Sequence, residues 1–184
     1  MQFDKVIDKH NHEVNAVIGA KAPSLYDDRE RIAAVLLGNI LGGPASNSML
    51  NSLLREKNGW VYGVECSYTQ YRDSGIMAIS IGCEKANLDK CINAIMRTIE
   101  KMQQEPLSPT KLRAAKKQLI GQLAISSDNG ETQCLAMGKS LLAFGRVSSF
   151  EEDRARIEEV TAEEIQAVAQ KIFASDNISK LVYL

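Results

Sequence analysis

The spacing of apolar residues changes several times along the chain, and each change predicts a new element. Alternation of apolar and polar residues over residues 12–20 predicts a strand. The apolar spacing over residues 28–41 then becomes helical, and a second amphipathic helix follows over residues 47–57. Gly42, Gly43 and Pro44 separate these two segments, as glycine and proline do beyond a helix end. The first part of the chain is therefore expected to run strand, helix, helix.

A hairpin is predicted after the second helix. Asn58 and Gly59 end that helix, and the period returns to two over residues 60–70. The alternation runs through Trp60, Tyr62, Val64, Cys66 and Tyr68. A turn over residues 72–75 leads to a partner strand over residues 76–83, so we expect two antiparallel strands.

The remainder of the chain is mostly helical and closes with a strand over residues 178–184. The predicted helices cover residues 87–105, 109–126, 131–144, 149–158 and 161–173. Ser108 and Pro109 suit the start of one helix, and Thr161 with Glu164 suits a capping box at another. Strands and helices are segregated, which favours an α+β fold. We expect a two-layer sandwich in which helices cover one face of a mostly antiparallel or mixed sheet.

Composition excludes several classes of protein. Hydrophobic residues make up 45% of the 184, enough for the core of one domain over residues 1–184. The net charge is -1, so nothing indicates a nucleic-acid partner. No apolar run approaches the roughly 20 residues that span a bilayer. The chain has no Cys-x-x-Cys pair, so we expect the four cysteines to be buried apolar residues.

Two short motifs invite a catalytic interpretation that their surroundings do not favour. Residues 10–14 supply His10 and Glu13 of an inverted zinc motif, H-x-x-E-H, but Val14 stands where the second histidine belongs. This stretch also opens a strand, whereas the zinc motif requires a helix. Gly42 and Gly43 lack the lysine of a phosphate loop and follow a helix rather than a strand. We expect no metal site on this chain.

Arg55 and Tyr62 are the candidate binding residues. Arg55 lies in the last turn of a predicted helix, Gly59 permits a sharp turn, and Tyr62 opens the following strand. Both side chains donate hydrogen bonds, so together they suit the carbonyl oxygens of an extended peptide. The alternative is that Arg55 pairs with a surface carboxylate and that Tyr62 is a ring at the edge of the core.

The longer pattern resembles a known family. It combines Asn39-Ile40-Leu41-Gly42-Gly43, Leu50, Leu54-Arg55-Glu56-Lys57, Gly59, Tyr62 and the turn Asp73-x-Gly75. This combination is similar to the C-terminal, zinc-free domain of the insulinase, pitrilysin and mitochondrial-processing-peptidase family of zinc metallopeptidases. The sequence departs from the usual family pattern at Trp60, Val61 and Gly63, and at Met49, where the family often has arginine.

The resemblance implies that two homologous domains have different roles. One domain carries H-x-x-E-H and zinc, and the other clamps an extended peptide for hydrolysis. On that resemblance Arg55 and Tyr62 contact the substrate, with Tyr62 auxiliary to catalysis, and Gly42, Gly43 and Gly59 form structural turns. The chain would then be a fragment of a longer protein and would be inactive alone. The alternatives are a non-catalytic scaffold or assembly subunit, or a peptide-binding module of the same fold.

Overall fold

The computed structural model describes residues 2–10 and 12–184, which form five strands and six α-helices. The strands are β1 (Asp4–Ile7), β2 (Val14–Ala22), β3 (Val61–Gln70), β4 (Gly75–Cys83) and β5 (Ile178–Tyr183). The helices are α1 (Asp28–Gly42), α2 (Leu88–Gln104), α3 (Pro109–Ser127), α4 (Gly130–Phe144), α5 (Phe150–Glu159) and α6 (Ala162–Ile172). A π-helix at Asn51–Lys57 and a 3₁₀ turn at Lys85–Asn87 complete the secondary structure.

The strands form one mixed sheet in the order β1-β5-β2-β4-β3. The pairs β2–β4, β2–β5 and β3–β4 are antiparallel, whereas β1 and β5 are parallel. The predicted hairpin is confirmed as β3 and β4. The strand β3 pairs only with β4 in this sheet and therefore lies at one edge of it.

Helices cover one face of the sheet, as the predicted α+β two-layer sandwich requires. In β2 the side chains of Val14, Ala16 and Ile18 are buried, and the residues between them are exposed or half-buried. The strand β4 alternates in the same way, with Met77 and Ile79 completely buried. Because buried and exposed residues alternate, the core lies between the sheet and the helices. The opposite face of the sheet is left open.

Local signals in the sequence set several helix ends. Thr161 and Glu164 form the predicted capping box, and Ser149 with Glu152 forms a second one at α5. Pro109 is the first residue of α3, as predicted. Gly145 follows α4 in the left-handed conformation, with φ of 68°, and ends that helix.

The structure differs from the sequence-based expectation in four places. The parallel strand β1 was not assigned from the sequence. The first helix includes Gly42, which was expected to lie beyond its end. The helix predicted over residues 47–57 is a π-helix over most of its length. Cys134 is exposed and lies on α4, which has no buried residue. The other three cysteines are buried as expected.

Candidate functional site

Arg55 projects from the C-terminal end of the π-helix. Leu54 beside it is completely buried and anchors the helix to the core. The side chain of Arg55 is exposed, and no residue of the two described segments forms an ion pair or a side-chain hydrogen bond with it. The alternative interpretation paired Arg55 with a surface carboxylate, and no such partner is found among the described residues. π-Helical turns often occur at functional sites because they displace side chains from their usual positions.

The turn after the π-helix is closed by backbone hydrogen bonds. Gly59 has φ of 60°, and its N–H donates to the carbonyl of Arg55 at 3.0 Å. The N–H of Trp60 donates to the carbonyl of Leu54 at 2.9 Å, and the side-chain amide of Asn58 donates to Leu53 at 2.7 Å. These bonds satisfy carbonyl groups that a helix end leaves without partners. The residues from Asn58 to Trp60 thus form a fixed link between Arg55 and β3.

Tyr62 is the extra residue of a β-bulge. Val61 is opposite Cys83 and Gly63 is opposite Gly82, so Tyr62 has no partner on β4. Val61 is buried, whereas Tyr62 is 60% exposed. A bulge redirects a side chain relative to the regular alternation of a strand. It places the phenol on the open face of the sheet, which excludes the alternative that Tyr62 is a ring at the edge of the core.

The surroundings of Tyr62 disfavour ionisation of its phenol. Partial desolvation, followed by the nearby carboxylates of Glu84 and Glu13, raises the pKa of Tyr62. A negative charge next to two carboxylates is unfavourable, so the neutral form is favoured. At neutral pH the phenol is neutral, as its ordinary pKa of about 10 already ensures, and its hydroxyl can donate a hydrogen bond.

Two glycines lie beside Tyr62 on the open face of the sheet, and the space over one of them is empty. Gly63 and Gly82 pair across β3 and β4 on the open face. No atom lies within 4 Å of the position that a Cβ of Gly63 would occupy. A Cβ at Gly82 would lie 2.7 Å from Oε1 of Glu13, so the glycine leaves room for that carboxylate. At Gly63, therefore, another chain can approach the sheet backbone closely.

Gly42, the last residue of α1, lies beside the middle of β3. A Cβ at Gly42 would be 2.6 Å from the backbone nitrogen of Cys66, so only glycine fits there without movement. Gly43 follows α1 in an extended conformation, and its N–H donates to the carbonyl of Asn39 at 3.0 Å. Gly42 therefore allows the end of α1 to pack tightly against the strand that carries Tyr62.

The near-match to an inverted zinc motif does not gather ligands. His10 is exposed, has φ of 55° and contacts the carboxylate of Asp8 at 3.1 Å. Val14 begins β2, and Asn11 between the two lies outside the described residues. Within residues 2–10 and 12–184, no group of three or more His, Cys, Asp or Glu side chains is arranged to hold a metal ion. None of the described helices is long and apolar enough to cross a membrane.

Comparison with known sequences gives one family. The family described as the Peptidase M16 inactive domain matches residues 2–119, more than half of the chain. An uncharacterized zinc protease of Bacillus subtilis, YmxG, is 25% identical over 175 residues, covering 95% of this chain and 42% of the relative. An uncharacterized zinc protease of Rickettsia felis is 27% identical over 176 residues, covering 96% of this chain and 42% of the relative. The chain thus spans less than half the length of these relatives.

Solved structures with the same fold agree with that assignment. A peptidase M16 inactive domain from Pseudomonas fluorescens superposes with a TM-score of 0.85 at 20% identity, covering 99% of this chain and 43% of that one. A protease from Helicobacter pylori superposes with a TM-score of 0.83 at 15% identity, covering 98% of this chain and 43% of that one. The predicted resemblance is confirmed, and the chain belongs to the family of Peptidase M16 inactive domains.

Proposed function

We propose that this chain is the substrate-holding half of a zinc metallopeptidase and binds an extended peptide through Arg55 and Tyr62. The observation that carries the proposal is the bulge at Tyr62, which places a protonated phenol on the open face at the start of an edge strand. An edge strand has unpaired backbone groups to which a peptide can add as a further strand. The family membership supports the same role.

The two side chains have distinct tasks in this proposal. The guanidinium of Arg55 has no partner among the described residues and can donate two parallel hydrogen bonds to a peptide carbonyl or carboxylate. It therefore orients the substrate. The phenol of Tyr62 donates one hydrogen bond to the carbonyl oxygen of the bond to be cut, where negative charge develops during hydrolysis. The open space over Gly63 permits this close approach.

Zinc and its ligands belong to a homologous domain carrying H-x-x-E-H, in the same or a second chain. The described residues of this chain hold no cluster that suits zinc. When bound in that other domain, the metal supplies the Lewis acid for hydrolysis. This chain supplies peptide binding, orientation and a hydrogen-bond donor, and by itself it is expected to be inactive.

The test is peptide hydrolysis by the full-length protein carrying Arg55→Ala or Tyr62→Phe. We expect Tyr62→Phe to lower kcat/KM by about a hundredfold, mainly through kcat, because it removes a donor used in the transition state. Arg55→Ala should raise KM, since it removes substrate binding. Tyr71→Phe and Arg72→Ala are matched controls, because both residues are exposed and lie just beyond the opposite end of β3.

Zinc content decides how a loss of activity is interpreted. If activity falls in the Tyr62 variant while zinc stays bound and the Tyr71 variant remains fully active, the phenol completes the active site. Unchanged kcat/KM in both site variants would refute the proposed roles. An equal loss in the site variants and their controls would indicate a general effect on folding instead.

A non-catalytic scaffold subunit is the second candidate. A chain in complex III2 of Candida albicans has the same fold, with a TM-score of 0.83 at 14% identity, covering 100% of this chain and 46% of that one. The fold therefore also occurs in an assembly that is not described as a protease. If neither the full-length protein nor a copurifying partner carries H-x-x-E-H and zinc, the scaffold role is favoured over the peptidase role.

A further inference from the structure

A cavity of about 750 Å³ lies among the helices that cover the sheet. It is enclosed by α1, the π-helix, α2 and α3, and neither candidate site residue lines it. Its volume falls within the range of small-molecule sites, roughly 300–1,000 Å³. The cavity requires its own explanation because the Tyr62 phenol of the proposed peptide site lies on the open face.

The floor of the cavity is apolar. Side chains from α1, the π-helix, α2 and the neighbouring connecting segments contribute to it: Ile40, Met49, Leu53, Trp60, Ala94 and Leu107. Each of these six side chains is only partly buried, although all six pack against the hydrophobic core. Apolar surface that remains open to solvent in a concave site is a binding surface for an apolar group.

The rim carries charges of one sign. Lys57, Arg97, Lys101 and Lys111 line the cavity, and no aspartate or glutamate does. All four are exposed, and none of their side chains takes part in an ion pair or hydrogen bond within residues 2–10 and 12–184. The whole chain has a net charge of -1, so this positive charge is a local concentration. Cations left without protein partners around one opening favour an anionic group there.

The polar side chains of the cavity wall differ in whether they have hydrogen-bond partners in the protein. The side chain of Gln118 donates to Asn39 at 3.1 Å, and Asn39 donates to Gln122 at 2.7 Å, so this network is satisfied. The hydroxyl of Ser48, by contrast, has no hydrogen-bond partner although the residue is only 4% exposed. A buried hydroxyl without a partner is uncommon and is normally satisfied by a ligand or an ordered water molecule.

We propose that this cavity binds a single-chain amphiphile, with its apolar chain on the floor and an anionic phosphate or carboxylate head among the four cations. Nucleic acid does not fit, because a mostly apolar floor offers little to a polyanion. A small inorganic anion does not explain the apolar floor, and a neutral hydrocarbon does not explain the uncompensated cations. An amphiphilic anion accounts for both features.

The test measures binding of monododecyl phosphate, below its micelle concentration, to the 184-residue chain by isothermal titration calorimetry. We expect one molecule per chain, and binding at least about tenfold tighter than that of dodecanol or inorganic phosphate. Binding should also raise the melting temperature. The double variant Arg97→Gln/Lys101→Gln removes two rim charges four residues apart on α2, and should weaken binding about tenfold.

The matched control is Arg113→Gln/Lys117→Gln on α3. These residues have the same charge and the same spacing, are exposed, and do not line the cavity. Affinity should stay unchanged in this variant. Equal weakening in the two double variants would overturn the proposal, because it would mean that only net charge matters. Binding of many molecules per chain, or equal affinity for dodecanol and dodecyl phosphate, would overturn it as well.

Discussion

Gly42 and Gly38 lie one turn apart on α1 and should respond to the same substitution in opposite directions. A Cβ at Gly42 would lie 2.6 Å from the backbone nitrogen and 2.8 Å from the Cβ of Cys66. Real Cβ contacts do not occur at such distances, and one of the contacted atoms belongs to the backbone of β3. At Gly38 the nearest atom would be Cε of Met77 at 3.7 Å, which is ordinary van der Waals contact.

The expected magnitudes follow from this difference. Overpacking of a well-packed region costs about 1–3 kcal/mol, so Gly42→Ala should lower the free energy of unfolding by about 2 kcal/mol. Gly38→Ala creates no clash and replaces glycine within a helix by alanine, which favours the helix by up to about 1 kcal/mol. For a chain of this length, 1 kcal/mol corresponds to about 2–4 °C in the melting temperature.

Urea denaturation of the two variants and the natural chain measures both effects. Gly42→Ala should shift the transition to lower urea concentration with an unchanged m-value, and Gly38→Ala should shift it to higher urea concentration. A Gly42→Ala variant as stable as the natural chain would refute the reasoning, because it would show that α1 moves away from β3 at little cost. Destabilisation by Gly38→Ala would also contradict it.

Two further predictions concern the turn and the cysteines. Because Gly59 has φ of 60°, Gly59→Ala should lower the free energy of unfolding by about 1–2 kcal/mol, and Gly59→Asn should lower it less. Thermal unfolding measures both effects, and equal stability of the two variants and the natural chain would contradict this reasoning. Cys134 should react with a thiol reagent at pH 8 in the folded protein, and Cys134→Ser should remove the fast reaction. Burial, with Glu65 nearby, raises the pKa of Cys66 to about 12, so Cys66 should react only after unfolding. Fast reaction of the folded Cys134→Ser variant with the thiol reagent would contradict this expectation for the buried cysteines.

Most secondary structure could be predicted because it depends on neighbouring residues. The apolar spacing of α1, the alternation of β4 and the capping box at Thr161 are local signals, and the structure confirms all three. The strand β1 was missed because it is only four residues long and its pairing with β5 joins opposite ends of the chain. The cavity was missed for a similar reason, since its lining comes from segments far apart in sequence.

The sequence by itself determined the family pattern, the fold class and the identity of Arg55 and Tyr62 as candidate residues. Only the tertiary structure decided where Tyr62 points. The alternation through Val64 and Cys66 places Tyr62 with these buried residues, but the bulge opposite Cys83 and Gly82 inserts one residue and turns the phenol to the open face. The register of two strands depends on pairing between distant residues, and a shift of one residue exchanges the faces of a strand. No local pattern contains that information.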